Sequence, residues 1–116
     1  IPMIRLSEMY LIAAESGFDA HKEVAIGLLE ELRKNRGIAG DISTTITYDN
    51  FVKELTKEAR REFIGEGQLF YWYKRLGLPV DQGSTTIMLE PSQFCLPLPA
   101  TEVEFGGRKE DYLNNK

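Results

Sequence analysis

A chain of 116 residues has room for one domain built on a single modest core. With 42% hydrophobic and 28% charged residues the composition is that of a globular protein, which excludes a disordered chain, and the apolar runs are far too short to cross a bilayer. The net charge of −4, with acids and bases interleaved, leaves no basic patch for counterion exchange and argues against nucleic acid as the main partner.

The single cysteine, Cys95, rules out an internal disulfide and a thiolate metal cluster. No basic-then-apolar leader is visible at the start, and IPMIRLSEMY begins inside a patterned segment. The chain is therefore expected to be the C-terminal portion of something longer.

The first predicted helix runs from Met3 to about Ser16. Leu6, Met9, Tyr10 and Ala13 share one side, while Ile4, Leu11, Ile12 and Ala14 cover most of the remainder. A helix apolar nearly all round requires neighbours on several sides. Gly17 is expected to end it. The second helix spans about Ala20 to Arg36, with Asp19 as N-cap and Gly37 as the C′ residue. Its apolar stripe reads Val24, Ala25, Leu28, Leu29 and Leu32. The short SGFDAH connection makes the first two helices an antiparallel hairpin.

A loop, GIAGDISTTIT, precedes a third helix starting near Tyr48. Val52, Leu55, Ala59 and Phe63 form its buried stripe, with Lys53, Lys57 and Arg61 toward solvent. A fourth, shorter helix presents Leu69, Trp72, Tyr73 and Leu76 on one face before GLPVDQG stops it. In the tail, TTIML predicts a short strand and QFCLPLP an extended segment. Thr101 and Glu104 have capping-box spacing, and RKEDYLNNK reads as a loosely held end. The expected class is all-α, in antiparallel helical hairpins with an irregular C-terminal tail. No sequence repeat of fixed period stands out.

Three blocks carry a family resemblance. IRLSEMYLIAAE, followed by a helix ending LRKNRG, then EARREFIGEGQLFYWYKRLG, and finally FCLPLPATEVEFG resemble, in that order, the C-terminal part of the SusD/RagB family of nutrient-uptake outer-membrane lipoproteins. The resemblance spans nearly the whole chain, its second block is specific, and residues 1–116 are expected to form one C-terminal region of such a protein. It implies a helical fold of tetratricopeptide-like hairpins and a lipid anchor on the outer face of the outer membrane. It further implies a TonB-dependent transporter of the SusC type as partner, and a role in binding glycans or other nutrients rather than in catalysis. It assigns no ligand-binding residue to this chain, and it implies no cofactor.

The residues themselves supply several candidates. On a wheel continued through the third helix, Glu66 falls amid Val52, Leu55, Ala59 and Phe63, with Glu62 at the edge. A carboxylate facing a core needs a partner, and Arg5, Arg36, Arg60 and Arg75 are the candidates for a structural ion pair. Glu54, Lys57 and Glu58 read as helical surface pairs. Within Tyr71-Trp72-Tyr73, consecutive positions cannot share a face; Trp72 and Tyr73 go into packing, and Tyr71 stands open between packing and sugar stacking. His21 reads as a solvated turn residue and Cys95 as a small buried hydrophobe, and neither belongs to a metal or triad spacing. GEGQ lacks the Lys-Ser/Thr pair of a phosphate loop. Two alternatives to a nutrient receptor are a helical-repeat protein-interaction scaffold without nutrient binding, and a glycoside hydrolase, for which no carboxylate pair is identified.

Overall fold

The computed structural model describes residues 5–95, 99, 101 and 104–106. They fall into two compact units, Ile1–Leu69 and Phe70–Lys116. Four helices dominate, α1 (Leu6–Gly17), α2 (Lys22–Asn35), α3 (Tyr48–Glu62) and α4 (Gln68–Leu76), followed by two short strands, β1 (Val80–Asp81) and β2 (Thr86–Ile87). The all-α class is what the sequence predicts.

In the first unit α1 packs on both α2 and α3. The side of α1 turned inward carries Leu11, Ala14 and, just past the helix end, Phe18, all buried. This differs from the expected Leu6-Met9-Tyr10-Ala13 side. Leu6, at 74% exposure, and Met9 and Ile12 face outward. Because α1 is apolar nearly all round, hydrophobicity does not choose its face. The polar residues choose it instead, since Ser7, on the Leu11-Ala14 side, donates to the Glu62 carboxylate at 2.5 Å. The expected start at Met3 lies outside the described residues. Gly17 is the last helical residue rather than a left-handed cap, and Phe18 forms the cap through its N–H to the Glu15 carbonyl.

The hairpin turn is closed by Phe18, whose ring stacks on Phe51 of α3 at 4.6 Å and tilts against Tyr48 at 5.6 Å. His21 N–H bonds the Gly17 carbonyl at 2.8 Å, so α2 starts at Lys22 and His21, not Asp19, occupies the cap position. Helix α2 buries Ala25, Ile26, Leu29 and Leu32, whereas Val24, expected in the stripe, is exposed. Its far end is as predicted. Gly37, at φ +74°, donates to the Lys34 carbonyl and Ile38 donates to that of Arg33, both at 3.0 Å, the paired bonds of a Schellman motif.

Thr47 caps α3 by accepting from Asn50 N–H at 3.4 Å. The expected stripe of Val52, Leu55, Ala59 and Phe63 is buried, and Phe51 joins it. Lys53, Lys57 and Arg61 are exposed, as predicted.

In the second unit, Gly77 at φ +61° ends α4 by donating to the Tyr73 carbonyl at 2.9 Å. Strand β2 falls within the predicted TTIML. It pairs antiparallel with β1, Val80 opposite Ile87 and Asp81 opposite Thr86, so part of GLPVDQG is a strand as well as a helix stop. In QFCLPLP, expected to be extended, Gln93 and Phe94 are not, and residues 96–98 lie outside the described residues. Pro91–Phe94 form a 3₁₀ turn, with Glu90 and Gln93 bonded reciprocally as its capping box, and Cys95 resumes extended backbone. Pro91 at the first turn position explains this, since its fixed φ suits a helical start. Phe105 N–H bonds the Thr101 carbonyl at 2.9 Å, the spacing of the turn that TEVE predicts, and residues 102 and 103 lie outside the described residues. The expected loosely held end, residues 108–116, lies outside the described residues.

The two faces of α1 separate cleanly in a stability experiment. Leu11→Ala removes a side chain with 1% exposure and should cost about 2–5 kcal/mol, whereas Leu6→Ala should stay within about 0.5 kcal/mol. Denaturant unfolding of the two variants measures both.

Candidate functional site

Charge in this chain is held inside the helical unit. Helix α3 and the turn after it place Glu54, Glu58, Glu62 and Glu66 four residues apart. The last turn of α2 supplies Arg33 and Arg36, and Arg5 stands just before α1. Arg33 bridges Glu54 and Glu58, its Nε lying 3.1 Å from the latter. Arg36 bridges Glu58, at 3.3 Å, and Glu62. Arg5 bridges Glu62, at 3.3 Å, and Glu66, at 2.8 Å, and its guanidinium also lies 5.7 Å from the centroid of the Phe63 ring.

The centre of this ladder is Glu58, whose side chain is 0% exposed. Its carboxylate oxygens are shared among Arg33, Arg36 and Arg61. It was expected to form only a surface pair, and the reason for the difference is tertiary: the face of α3 carrying Glu58 is covered by the arginine-bearing end of α2. Conversely, Glu66 is not buried; its side chain is 41% exposed. The expected core position assumes that α3 continues, but the helix stops at Glu62. The chain then turns through Gly65 and Gly67, both at φ +73°, a region that side chains with a Cβ avoid. Arg5 is the correct partner among the four expected; Arg36 serves Glu58 and Glu62, and Arg75 lies over Trp72 at 5.1 Å. Glu54 and Lys57 do form the expected surface pair, at 2.6 Å.

Among the described residues no buried side-chain nitrogen or oxygen lacks a partner. Glu58 has both oxygens occupied by cations, which makes it a joint between helices rather than a group presented to a substrate. Partial burial pushes the Glu54 carboxyl up, but hydrogen bonds and positive charge from Lys57 and Arg33 outweigh it and hold the group below the usual glutamate range.

Other candidates separate by exposure. His21 is exposed at the turn, as predicted. Cys95 is exposed rather than buried, because it follows the 3₁₀ turn on extended backbone at the surface. No cluster of three or more metal-ligating side chains exists among the described residues. Trp72 and Tyr73 are buried, as expected for packing, while Tyr71 is 66% exposed. The Tyr71 ring meets Phe70 edge-on at 5.7 Å, Phe70 contacts Phe94 at 5.6 Å, and the Lys74 ammonium donates to the Phe94 carbonyl at 3.1 Å. A separate groove of about 530 Å³ lies between α2 and the following loop, lined by Glu30, Glu31, Lys34, Ile38 and Asp41 among others. Glu30 there accepts from Ile42 N–H at 2.8 Å and so closes the loop on the helix.

Residues 1–110 match the SusD family. The chain belongs to that family. The match takes in both arginines of α2, the four glutamates and the aromatic helix α4, so the ladder and its turn are parts of a SusD-family region. No curated protein and no solved structure matches the chain. The SusD family is one of nutrient-binding proteins of the outer membrane, and its members are binding proteins rather than enzymes. Among the described residues no helix is long and apolar enough to cross a membrane.

The ladder has two testable consequences. Glu58→Gln should lower stability by about 3–5 kcal/mol, whereas Glu66→Gln should cost about 0–1 kcal/mol, as read by chemical denaturation. Because Glu54 has a depressed folded-state pKa, its contribution is fully present above the ordinary glutamate value of about 4.3 and is lost as pH falls through the lower folded value. Glu54→Gln should therefore show a shallower loss of stability than the unmodified chain over that acidic window.

Proposed function

We propose that the chain is the C-terminal region of a SusD-like receptor that captures an oligosaccharide at the outer face of the outer membrane. In this reading the full-length receptor is lipid-anchored and passes its ligand to a TonB-dependent transporter of the SusC type. The observation that carries the reading is the family match across residues 1–110. The structure supports it in two ways. The described part of the first unit is a helical scaffold in which every buried side-chain nitrogen and oxygen has a partner. The outward side of α1, with Leu6, Met9 and Ile12 exposed, is an apolar surface of the kind that a neighbouring element covers in a larger helical protein.

That same apolar side is also what a helical-repeat interaction scaffold without nutrient binding would display. The two readings separate in one experiment on the full-length gene product. A receptor should bind a defined class of oligosaccharide on a glycan array and co-purify with a TonB-dependent transporter from outer membranes. A protein that retains no glycan while still capturing a protein partner would assign the scaffold role and overturn the receptor.

A further inference from the structure

Helix α4 carries aromatic residues that stay exposed among the described residues of its unit. Tyr71 is 66% exposed and Phe70 43% exposed, although each sits next to a residue committed elsewhere on the same short helix. The two rings meet at 81°, and Phe70 is backed in turn by Phe94 of the 3₁₀ turn. Lys74, one turn after Tyr71, is tied to the Phe94 carbonyl through one of its N–H groups. An ammonium has three donors, so two remain to bond further oxygens. The three rings and the lysine thus belong to one local assembly in which the turn, the helix and the side chains hold one another in place.

We infer that this surface, centred on Tyr71 and flanked by Lys74, is a stacking subsite for one pyranose ring of an oligosaccharide. The inference rests on the nutrient-receptor reading above and locates a contact within it. The C–H face of a pyranose is weakly positive and apolar, and it complements the negative face of an aromatic ring. Its hydroxyls project from the rim of the sugar, where the Tyr71 hydroxyl and the Lys74 ammonium supply polar partners. A tyrosine side chain has only two rotatable torsions, and the edge contact from Phe70 restrains it further, so little freedom is lost on binding. A protein surface is the competing occupant. The cation at the margin of the patch favours a sugar, whose hydroxyls it can bond, over a protein interface, whose buried core is depleted in charge.

The test is an NMR titration of the full chain, with labelled tyrosines, against cellohexaose and maltohexaose. The Tyr71 ring signals should move with at least one of them, while those of the buried Tyr73 stay in place. Tyr71→Ala should weaken binding at least about tenfold, the scale of losing one anchoring ring, while Tyr71→Trp should preserve it. The exposure of Tyr71 predicts an unchanged melting temperature for both variants. Silence of Tyr71 toward both sugars, or undiminished binding by Tyr71→Ala, overturns the subsite. Movement of its signals on concentrating the protein without sugar assigns the patch to protein contact and overturns it equally. Binding of the same sugars by the full-length receptor with Tyr71 silent removes the subsite alone. Failure of that receptor to bind any glycan removes the nutrient reading with it.

Discussion

Glu58 is a carboxylate withdrawn wholly from water, and the helical unit is arranged around keeping it paired. An isolated charge in that position would be untenable, since desolvation costs several kcal/mol even after relaxation. Three guanidinium groups surround it instead, from Arg33, Arg36 and Arg61. The geometry that allows this is simple. Acids four residues apart on α3 advance about 6 Å per step, and arginines three apart on α2 advance about 4.5 Å. Those steps are close enough for each arginine side chain to reach two successive acids. Arg33 takes Glu54 and Glu58, and Arg36 takes Glu58 and Glu62.

The ladder determines more than its own bonds. Leu11, Leu29, Leu55 and Ala59 are buried in the unit, but aliphatic faces tolerate sliding and rotation better than paired charges do. Rotating α3 by one residue would carry Glu58 about 100° away from α2 and leave two arginines facing a core without anions. Arg5 extends the constraint to α1, because it reaches both Glu62 at the end of α3 and Glu66 within the turn that follows. Ser7 on α1 does the same from the next turn. The inward face of α1 follows from these bonds, and so does the outward placement of Leu6, Met9 and Ile12.

Much of this was legible in the sequence, and the failures have common causes. Helices α2, α3 and α4 appear where periodicity and glycine stops place them, and the stripe Val52, Leu55, Ala59 and Phe63 is buried as its spacing requires. Helix α1 defeated the pattern because its apolar residues cover too much of the circumference for spacing to select a face. Continuing the wheel to Glu66 fails because α3 ends four residues earlier, and the glycines at 65 and 67 are the sequence signal of that end. Glu58 was missed because neighbours three residues away on a helix explain a surface pair adequately. The signal that identifies it is longer in range: four glutamates at four-residue spacing, together with two arginines three apart in LRKNRG. Either half is ordinary alone, and only the tertiary ion pairs between the end of α2 and α3 join them. Cys95 went astray because flanking Phe94 and Leu96 suggest burial, while the turn imposed by Pro91 returns the chain to the surface.

The aromatic residues show how a single stretch divides between scaffold and surface. Phe18, Phe51 and Phe63 are consumed in the helical core, and Trp72 and Tyr73 are buried as well. Successive helical positions point about 100° apart, so a run such as FYWY on one short helix cannot bury all its rings on a single face. Burying Trp72 and Tyr73 therefore turns Tyr71 outward and leaves Phe70 at the margin of the buried face. An exposed pair of large rings is a liability for a protein that merely needs to stay folded, because apolar surface invites association. Here the outer rings are not loose: Phe94 backs Phe70, and Lys74 closes on the turn that carries Phe94. A surface held in place by its own supports has already lost the motion that binding would otherwise remove, which is the physical condition for recognising a ligand with few contacts.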